Sequence, residues 1–462
     1  MEWGAGNLAG RRLEGAVPLC CGQTDLCKGR ARAEEETPVS RDAVVGLELG
    51  SKTIKAVEIE RRRDRLVMTR AAVRPTPDGM VIDGYIIDAD AIGQEVSAML
   101  RDEGFSAKRA VVACGGQTDM VVRITEVPRM SAKDLRNAMK YDLERHLPFP
   151  PADARDSVQY SVYEGPDVDP TNPNMEVTIT ALKDEACTRQ LNILNAARLK
   201  PLAVDAEPFA IGRALVSSVP GASPTQCVAI ANIGSESTDI YVVHNSWLRF
   251  MRSIPMAGDT FTTAIGQALL VEAGEAETLK RRYAVLSTEP EAPAAALGRA
   301  APSFRGTAPP RPQAEPADLM AGLDDGPGAP MFSLDAEPAV GLPEFGGDED
   351  LATEEQDASE PVAQALKPVV AELAAEIGRS LEYYRTRHDD VEVDKVILVG
   401  GSALIPNLAP VVQMELGDIP TEIGDPFTAV SFDPSGGYTP DQLAYMGPVV
   451  AGAVGLALYE WY

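Results

Sequence analysis

Two short stretches carry the residue types that a phosphate-binding site needs, and they carry them at matched positions. VGLELGSKTIKAVEI runs from Val45 to Ile59 and IANIGSESTDIYVV from Ile230 to Val243, each with two apolar runs around a Gly-Ser turn. Aligned without gaps, Glu48 matches Asn232, Gly50 matches Gly234, Ser51 matches Ser235 and Lys55 matches Asp239. A glycine turn between strands lets backbone N–H groups approach phosphate oxygens closely. Ser51, Thr53, Ser235 and Ser237 add hydroxyl donors, Lys52 and Glu236 belong to the same turns, and Lys55 supplies positive charge. The polar residue before each turn, Glu48 or Asn232, could hold Mg²⁺ directly or through water, helped by Asp239. Either segment alone is an ordinary hairpin. Two copies imply two lobes built alike and facing each other.

A third element, KVILVGGSALIPNLAPVV, puts Gly400, Gly401 and Ser402 between an apolar strand and a helix starting near Pro406 or Asn407. That order suits close packing of a nucleoside against backbone. By itself it is a weak signal, since strand-then-Gly-Gly turns occur throughout α/β proteins.

The elements that would position these groups follow from periodicity. Strands are predicted at VVGLEL, RAVVAC, MVVRI, CVAIANI, DIYVV and KVILVG, with polar-capped helices between them, the alternation of an α/β protein. Ile92, Val96 and Met99 recur at helical spacing, and Ser131 with Asp134 resembles a capping box ahead of Leu135, Ala138, Met139 and Leu147. From Ser287 to Pro361 the chain turns to Ala, Pro, Gly, Asp and Glu and is expected to be a disordered acidic insertion. Helix is expected to resume over Pro368 to Arg387, on Val369, Leu373, Ile377 and Leu381.

Composition narrows the function. A formal charge of −27 with no basic stripe argues against nucleic-acid binding, which needs clustered Lys and Arg. The longest apolar stretch, Gly447 to Leu458, falls short of the roughly 20 residues of a membrane span, so direct insertion is not expected. Residues 1–42 hold Arg11, Arg12, Cys20, Cys21 and Cys27 but no apolar core of a signal peptide, and are expected to be disordered. Cys114, Cys187 and Cys227 lie in apolar runs and are expected to be buried thiols of a reducing compartment; Cys20, Cys21 and Cys27 leave a metal site as the less favoured alternative.

The order of the three glycine elements, with EPFAIGRAL at Glu207 to Leu215 and GPVVAGAVGLAL near the end, resembles the actin, DnaK-type chaperone and sugar kinase superfamily. The resemblance implies an actin-like, ribonuclease H-like two-lobed ATPase fold that binds ATP and Mg²⁺. It makes the two Gly turns phosphate loops, the Gly-Gly segment an adenosine loop, and the two helices inter-lobe connectors. Glu207 then lies where such proteins orient an attacking or Mg²⁺-bound water, with Asp205 its rival; otherwise either is a carboxylate at a helix start. AGDTFTTAI, with Gly258 and Asp259, and AETLKRRY, with Glu277 and Lys280, are similar to the segments that embrace ribose and adenine. The bland alternative for the latter is a solvated Glu-Lys pair.

Within the superfamily, VPRMSAKDLRNAMKYDLERHLPFPPADA resembles the inserted subdomain of the PilM family of type IV pilus assembly proteins, which the cell-division protein FtsA carries in comparable form. This implies a cytoplasmic scaffold recruited to the inner membrane by the cytoplasmic N-terminal tail of a PilN-like protein, working with pilus platform and motor proteins. Lys140, Tyr141, Arg145 and Phe149 are candidates near the groove for that tail, unless this segment is a helix end packed on the core. The implied organisation is an extension over 1–42, lobe 1 over 43–125, the inserted subdomain over 126–203 and a connecting helix over 204–225. Lobe 2 follows over 226–286 and 362–440, split by the acidic insertion over 287–361, and a helix over 441–462 returns to lobe 1.

The sequence departs from the superfamily at both metal positions, where Asp is usual and Glu48 and Asn232 stand. A weaker Mg²⁺ shell should harm hydrolysis more than binding, so slow hydrolysis at most is expected. A metabolic kinase, an FtsA-like division protein and a filament former are the alternatives, and self-association stays open.

Overall fold

A computed structural model of the chain describes residues 43–82, 85–116, 119–154, 157–217, 226–288, 352–388, 391–417, 419–433 and 436–462. The extension over 1–42, with Cys20, Cys21 and Cys27, and nearly all of the acidic insertion lie outside the described residues.

The duplication extends to two whole sheets. In lobe 1, strand Ala43–Leu49 pairs antiparallel with Thr53–Arg62, which pairs antiparallel with Arg65–Pro75. On its other side Ala43–Leu49 lies parallel to Arg109–Cys114, itself parallel to Lys200–Ala206. In lobe 2, Cys227–Ile233 pairs antiparallel with Thr238–His244, and that with Trp247–Ile254. Cys227–Ile233 also lies parallel to Lys395–Val399, and that to Thr421–Ile423. Strand order is thus the same in both, and Ser431–Phe432 adds a parallel edge to Arg65–Pro75. The central strands Ala43–Leu49, Arg109–Cys114, Cys227–Ile233 and Lys395–Val399 are largely buried, as expected of parallel strands covered on both faces.

Helices form where periodicity and caps agree. Ala89–Asp102 is capped by Asp88, which accepts from the Ala91 N–H at 2.9 Å, and buries Ile92, Val96 and Met99. Ala132–Asp142 is capped by Ser131, which accepts from the Asp134 N–H at 3.2 Å. The long helix differs from expectation: it runs Ala352–Arg387 and takes in Pro361 and Pro368. Two interior prolines cost about 3 kcal/mol each, but the buried stripe of Val362, Leu366, Val370, Leu373, Ile377 and Leu381 continues through both against lobe 2.

Between the lobes lie two helices, Glu207–Gly212, continued as a π-turn over Arg213–Ser217, and Ala451–Ala457. Glycine makes their close approach possible. A Cβ on Gly455 would sit 1.8 Å from the Ala210 carbonyl oxygen, and one on Gly46 1.9 Å from that of Ala453.

The inserted unit is a three-stranded antiparallel sheet with Asn174–Leu182 between Met120–Pro128 and Val158–Val162. It packs Leu135, Met139, Leu143, Leu147 and Phe149 into a core of its own. Helix Asp184–Ala196, placed by sequence inside the insertion, instead buries Cys187, Ile193 and Leu194 with Ile92 and Val96 of lobe 1. Strand Lys200–Ala206 likewise belongs to the lobe 1 sheet, so the small sheet spans 120–182 rather than 126–203. Cys114, Cys187 and Cys227 are free and buried. Among the described residues no helix is long and apolar enough to cross a membrane.

Candidate functional site

The two hairpins close in the same way. The Gly50 N–H donates to the Thr53 carbonyl at 3.0 Å, and the Gly234 N–H to that of Ser237 at 3.0 Å. Each turn therefore spends its glycine N–H internally and leaves Ser51, Lys52, Ser235, Glu236 and Ser237 to present outward groups. The register places Glu48 opposite Lys55 and Asn232 opposite Asp239, so the matched positions are true cross-strand pairs.

Their chemistry differs. Lys55 donates to Glu48 in a short ion pair whose side chains are both mostly buried, which offsets one charge with the other. Asn232 instead donates its side-chain N–H to Glu207 Oε1 at 2.7 Å. Burial first, then the Glu48 and Asp239 charges, push the Glu207 carboxyl up to about 8. Burial also raises Asp239. The ring of Tyr241, fully buried, lies beneath this group of acids. Carboxylates crowded this way are short of positive charge.

The second hairpin is fastened to two other segments, and a third holds one of those in place. Helix Gly258–Leu269 points its N-terminus at it, with the Gly258 N–H donating to the Gly234 carbonyl at 3.1 Å and the Asp259 N–H to that of Ser235 at 2.7 Å. Ser402 Oγ donates to the same Gly234 carbonyl at 2.9 Å. Gly400 takes φ of 91°, and a Cβ there would lie 2.3 Å from the Ile233 carbonyl oxygen, so this turn requires glycine. Lys280 donates to the Gly258 carbonyl at 2.9 Å and pairs with Glu277 at 2.6 Å. Burial alone would raise Glu277, but hydrogen bonds from Lys280, Thr262 and Arg281 outweigh it and bring the carboxyl down to about 2. Lys280 and Glu277 are thus tied to the start of helix Gly258–Leu269 rather than lying on a solvated helix face. Across the opening, Lys52 of the first hairpin lies 3.7 Å from Asp259.

Asp205 is placed elsewhere. Its carboxylate pairs with Arg213 Nη2 at 3.0 Å and accepts the Ala206 N–H, both buried, while Arg213 Nη1 donates to the Gly455 carbonyl at 2.6 Å. It ties the two connecting helices together and leaves Glu207 as the acid facing the hairpins. Nor do Glu48, Asn232 and Asp239 form a ready ligand cage: Glu48 is engaged by Lys55, and Asn232 turns a donor toward Glu207. Among the described residues no three His, Cys, Asp or Glu side chains converge to hold a metal ion.

Sequence reasoning missed Gly115, Gly452, Thr262 and Thr76. Gly115 and Gly452 lie against the site's acids: a Cβ on either would meet Glu207 Oε2 at 2.5 Å or Glu48 Oε2 at 2.4 Å. Thr262 donates to Glu277 at 2.6 Å, and Thr76 donates to the Gly50 carbonyl at 2.7 Å. A signal existed for Gly115, since Gly115-Gly116 ends strand Arg109–Cys114 as Gly400-Gly401 ends Lys395–Val399. On the inserted subdomain, Tyr141 is 90% exposed and Arg145 exposed beside Asp142, whereas Phe149 is buried under Lys183.

The same architecture occurs in known proteins. The PilM-PilN type IV pilus biogenesis complex matches at 23% identity and a TM-score of 0.66, over 91% of this chain and 98% of that one. Ethanolamine utilization protein EutJ from Carboxydothermus hydrogenoformans matches at 14% identity and 0.46, over 92% of each chain. MreB5 of Spiroplasma citri bound to ADP matches at 12% and 0.38, over 84% of this chain and 93% of that one. The fold is actin-like. A family model described as type IV pilus assembly protein PilM matches residues 46–288 and 352–461. With three quarters of its length inside that match, this chain belongs to the PilM family of type IV pilus assembly proteins.

Proposed function

We propose that the chain is an ATP-binding scaffold of the pilus assembly platform that hydrolyses nucleotide slowly or not at all. The observation that carries this is the facing pair of hairpins with Glu207 between them and the Gly258 and Gly400 segments gathered behind the second. Ser51, Lys52, Thr53, Ser235, Glu236 and Ser237 would meet phosphates, and Gly258, Asp259, Glu277, Lys280, Gly400, Gly401 and Ser402 would enclose the nucleoside. Mg²⁺ fits as an ion carried by phosphates and water, because it retains several waters and needs few carboxylates. Glu48, Asn232 and Asp239 would then act on its water shell, where burial and the neighbouring acids hold the Glu207 carboxyl raised. The ion would neutralise phosphate charge.

Slow turnover follows from the same contacts. Glu48 is engaged by Lys55 and Asn232 is neutral, so little charge is left to organise Mg²⁺ and its water, and Glu207 Oε1 already accepts the Asn232 amide. Remaining at the membrane would depend on a partner, the cytoplasmic N-terminal tail of a PilN-like protein, docked beside the inserted subdomain. Its support is family membership and the alignment over 98% of a chain of the PilM-PilN type IV pilus biogenesis complex.

Isothermal titration of ATP·Mg²⁺ into the purified protein, repeated with the N-terminal tail peptide of a PilN-like protein, tests both parts. Saturable binding of each, with little phosphate release, is expected. Absence of ATP binding would sink the nucleotide reading; brisk hydrolysis abolished by Glu207→Ala would sink the scaffold one.

A further inference from the structure

The inserted subdomain is covalently part of lobe 1, entered at Met120 and left at Leu182, yet its central strand is held by lobe 2. Arg249, on the edge strand Trp247–Ile254 of lobe 2, is 7% exposed. Its Nη2 donates to Glu176 Oε2 at 3.0 Å, and its Nε lies 2.7 Å from Glu176 Oε1 as an ion-pair contact, which holds strand Asn174–Leu182. Its guanidinium stacks 3.7 Å over the Tyr163 ring, and Nη1 lies 3.5 Å from Asp167. Asn245 adds to the hold, donating to the Tyr163 hydroxyl at 2.8 Å and to Asp167 at 2.9 Å, while Trp247 meets the Tyr163 ring edge-on. Behind Arg249, His388 lies 3.3 Å away at the end of the long lobe 2 helix.

This contact connects directly to the nucleotide hairpin. Trp247–Ile254 pairs along its length with Thr238–His244, whose Asp239 stands opposite Ser253, and that strand pairs with Cys227–Ile233 and its Asn232. A hydrogen-bonded sheet moves as one body, and a buried Arg–carboxylate ion pair with one hydrogen bond resists separation. The subdomain is thus fixed at one end to lobe 1 and at the other to lobe 2.

We propose that the inserted subdomain is a strut between the lobes, clasped at Arg249 to Glu176 and Tyr163, so that a change in the angle between lobes is converted into a movement of the partner-facing subdomain. The driving ligand rests on the nucleotide reading above. A packed, charge-paired contact of this kind can couple two sites.

Hydrogen–deuterium exchange with ATP·Mg²⁺ as the probe tests it, on wild type, on Arg249→Met and on the gentler Glu176→Gln, which keeps the packing. In wild type, ATP·Mg²⁺ should slow exchange around Gly50 and Gly234 and change it several-fold over residues 158–182. In both variants the turns should still respond while residues 158–182 do not. A response at the turns without one over 158–182 in wild type overturns the strut and leaves nucleotide binding intact. Variants that respond over 158–182 like wild type overturn it as well. No response at the turns removes nucleotide binding, and with it the strut as a transmitter of nucleotide state.

Discussion

Glu207 concentrates the chemistry of this site into one titration. Its folded carboxyl titrates near 8, above the unfolded value of about 4.3. The folded state therefore keeps a proton that the unfolded state gives up, and the group costs stability progressively as pH rises from about 4 to about 8. Glu207→Gln removes that cost and keeps the oxygen that accepts from Asn232. Its advantage over wild type in thermal melting should be small at pH 5 and should grow to a few kcal/mol, roughly, by pH 8. Equal shifts at both pH values would mean that Glu207 is already ionised in the folded protein. The neighbouring amide gives the converse experiment. Asn232→Asp replaces a donor 2.7 Å from Glu207 by a third negative group beside Glu48 and Asp239. Without metal it should cost about 1–3 kcal/mol, and millimolar Mg²⁺ should recover much of that while shifting wild type little. Melting curves with and without MgCl₂ measure it, and a variant indifferent to Mg²⁺ would speak against any cation at this position.

At the level of elements, glycines set how closely the connecting helices approach the lobes. Gly455 lies where a Cβ would be 1.8 Å from backbone oxygen, which no side-chain rotation relieves. Gly455→Ala should destabilise by about 3 kcal/mol or more, through forced separation of the two helices. Gly274, in helix Ala273–Tyr283 with nothing within 4 Å of its Cβ position, is the control, and Gly274→Ala should stabilise by about 0.5 kcal/mol. Denaturant melts of the pair separate close packing from backbone entropy; similar effects from both would refute the packing argument. The elements themselves were unevenly legible. Both hairpins could be read because strand, turn and strand are contiguous and Glu48–Lys55 and Asn232–Asp239 follow from the turn length alone. The full extent of helix Ala352–Arg387 is not legible, because proline at 361 and 368 ordinarily starts or breaks a helix and only lobe 2 supplies the burial that carries helix through them. The place of helix Asp184–Ala196 is hidden for a similar reason: its amphipathic pattern tells that one face is covered, not by which sheet.

For the molecule as a whole, the sequence reveals repetition but not contact. The duplicated turns imply two similar lobes, and the sheets do share one strand order. What joins them is long-range: Arg213 to Gly455, Arg249 to Glu176 and Lys52 to Asp259 link residues far apart in the chain, with nothing local to announce them. Asp205 illustrates the same limit, since two residues before Glu207 it serves Arg213 instead. The Lys52–Asp259 pair, set across the mouth between the hairpins, decides whether the opening is merely decorated or gated by charge. Its side chains are 61% and 46% exposed at 3.7 Å, so breaking it should change stability by about 1 kcal/mol at most. Its effect on ligand should be larger and should have two signs. If Lys52 leaves Asp259 to meet a phosphate, Lys52→Ala removes a phosphate contact and should weaken ATP·Mg²⁺ binding about tenfold, or about 1.4 kcal/mol. Asp259→Asn removes the competitor for the same ammonium and should strengthen binding, more so at low salt where exposed charges are least screened. Titration calorimetry at two salt concentrations reads both; two variants that weaken binding alike would make the pair a structural brace, and two that change nothing would place the phosphates away from this side of the opening.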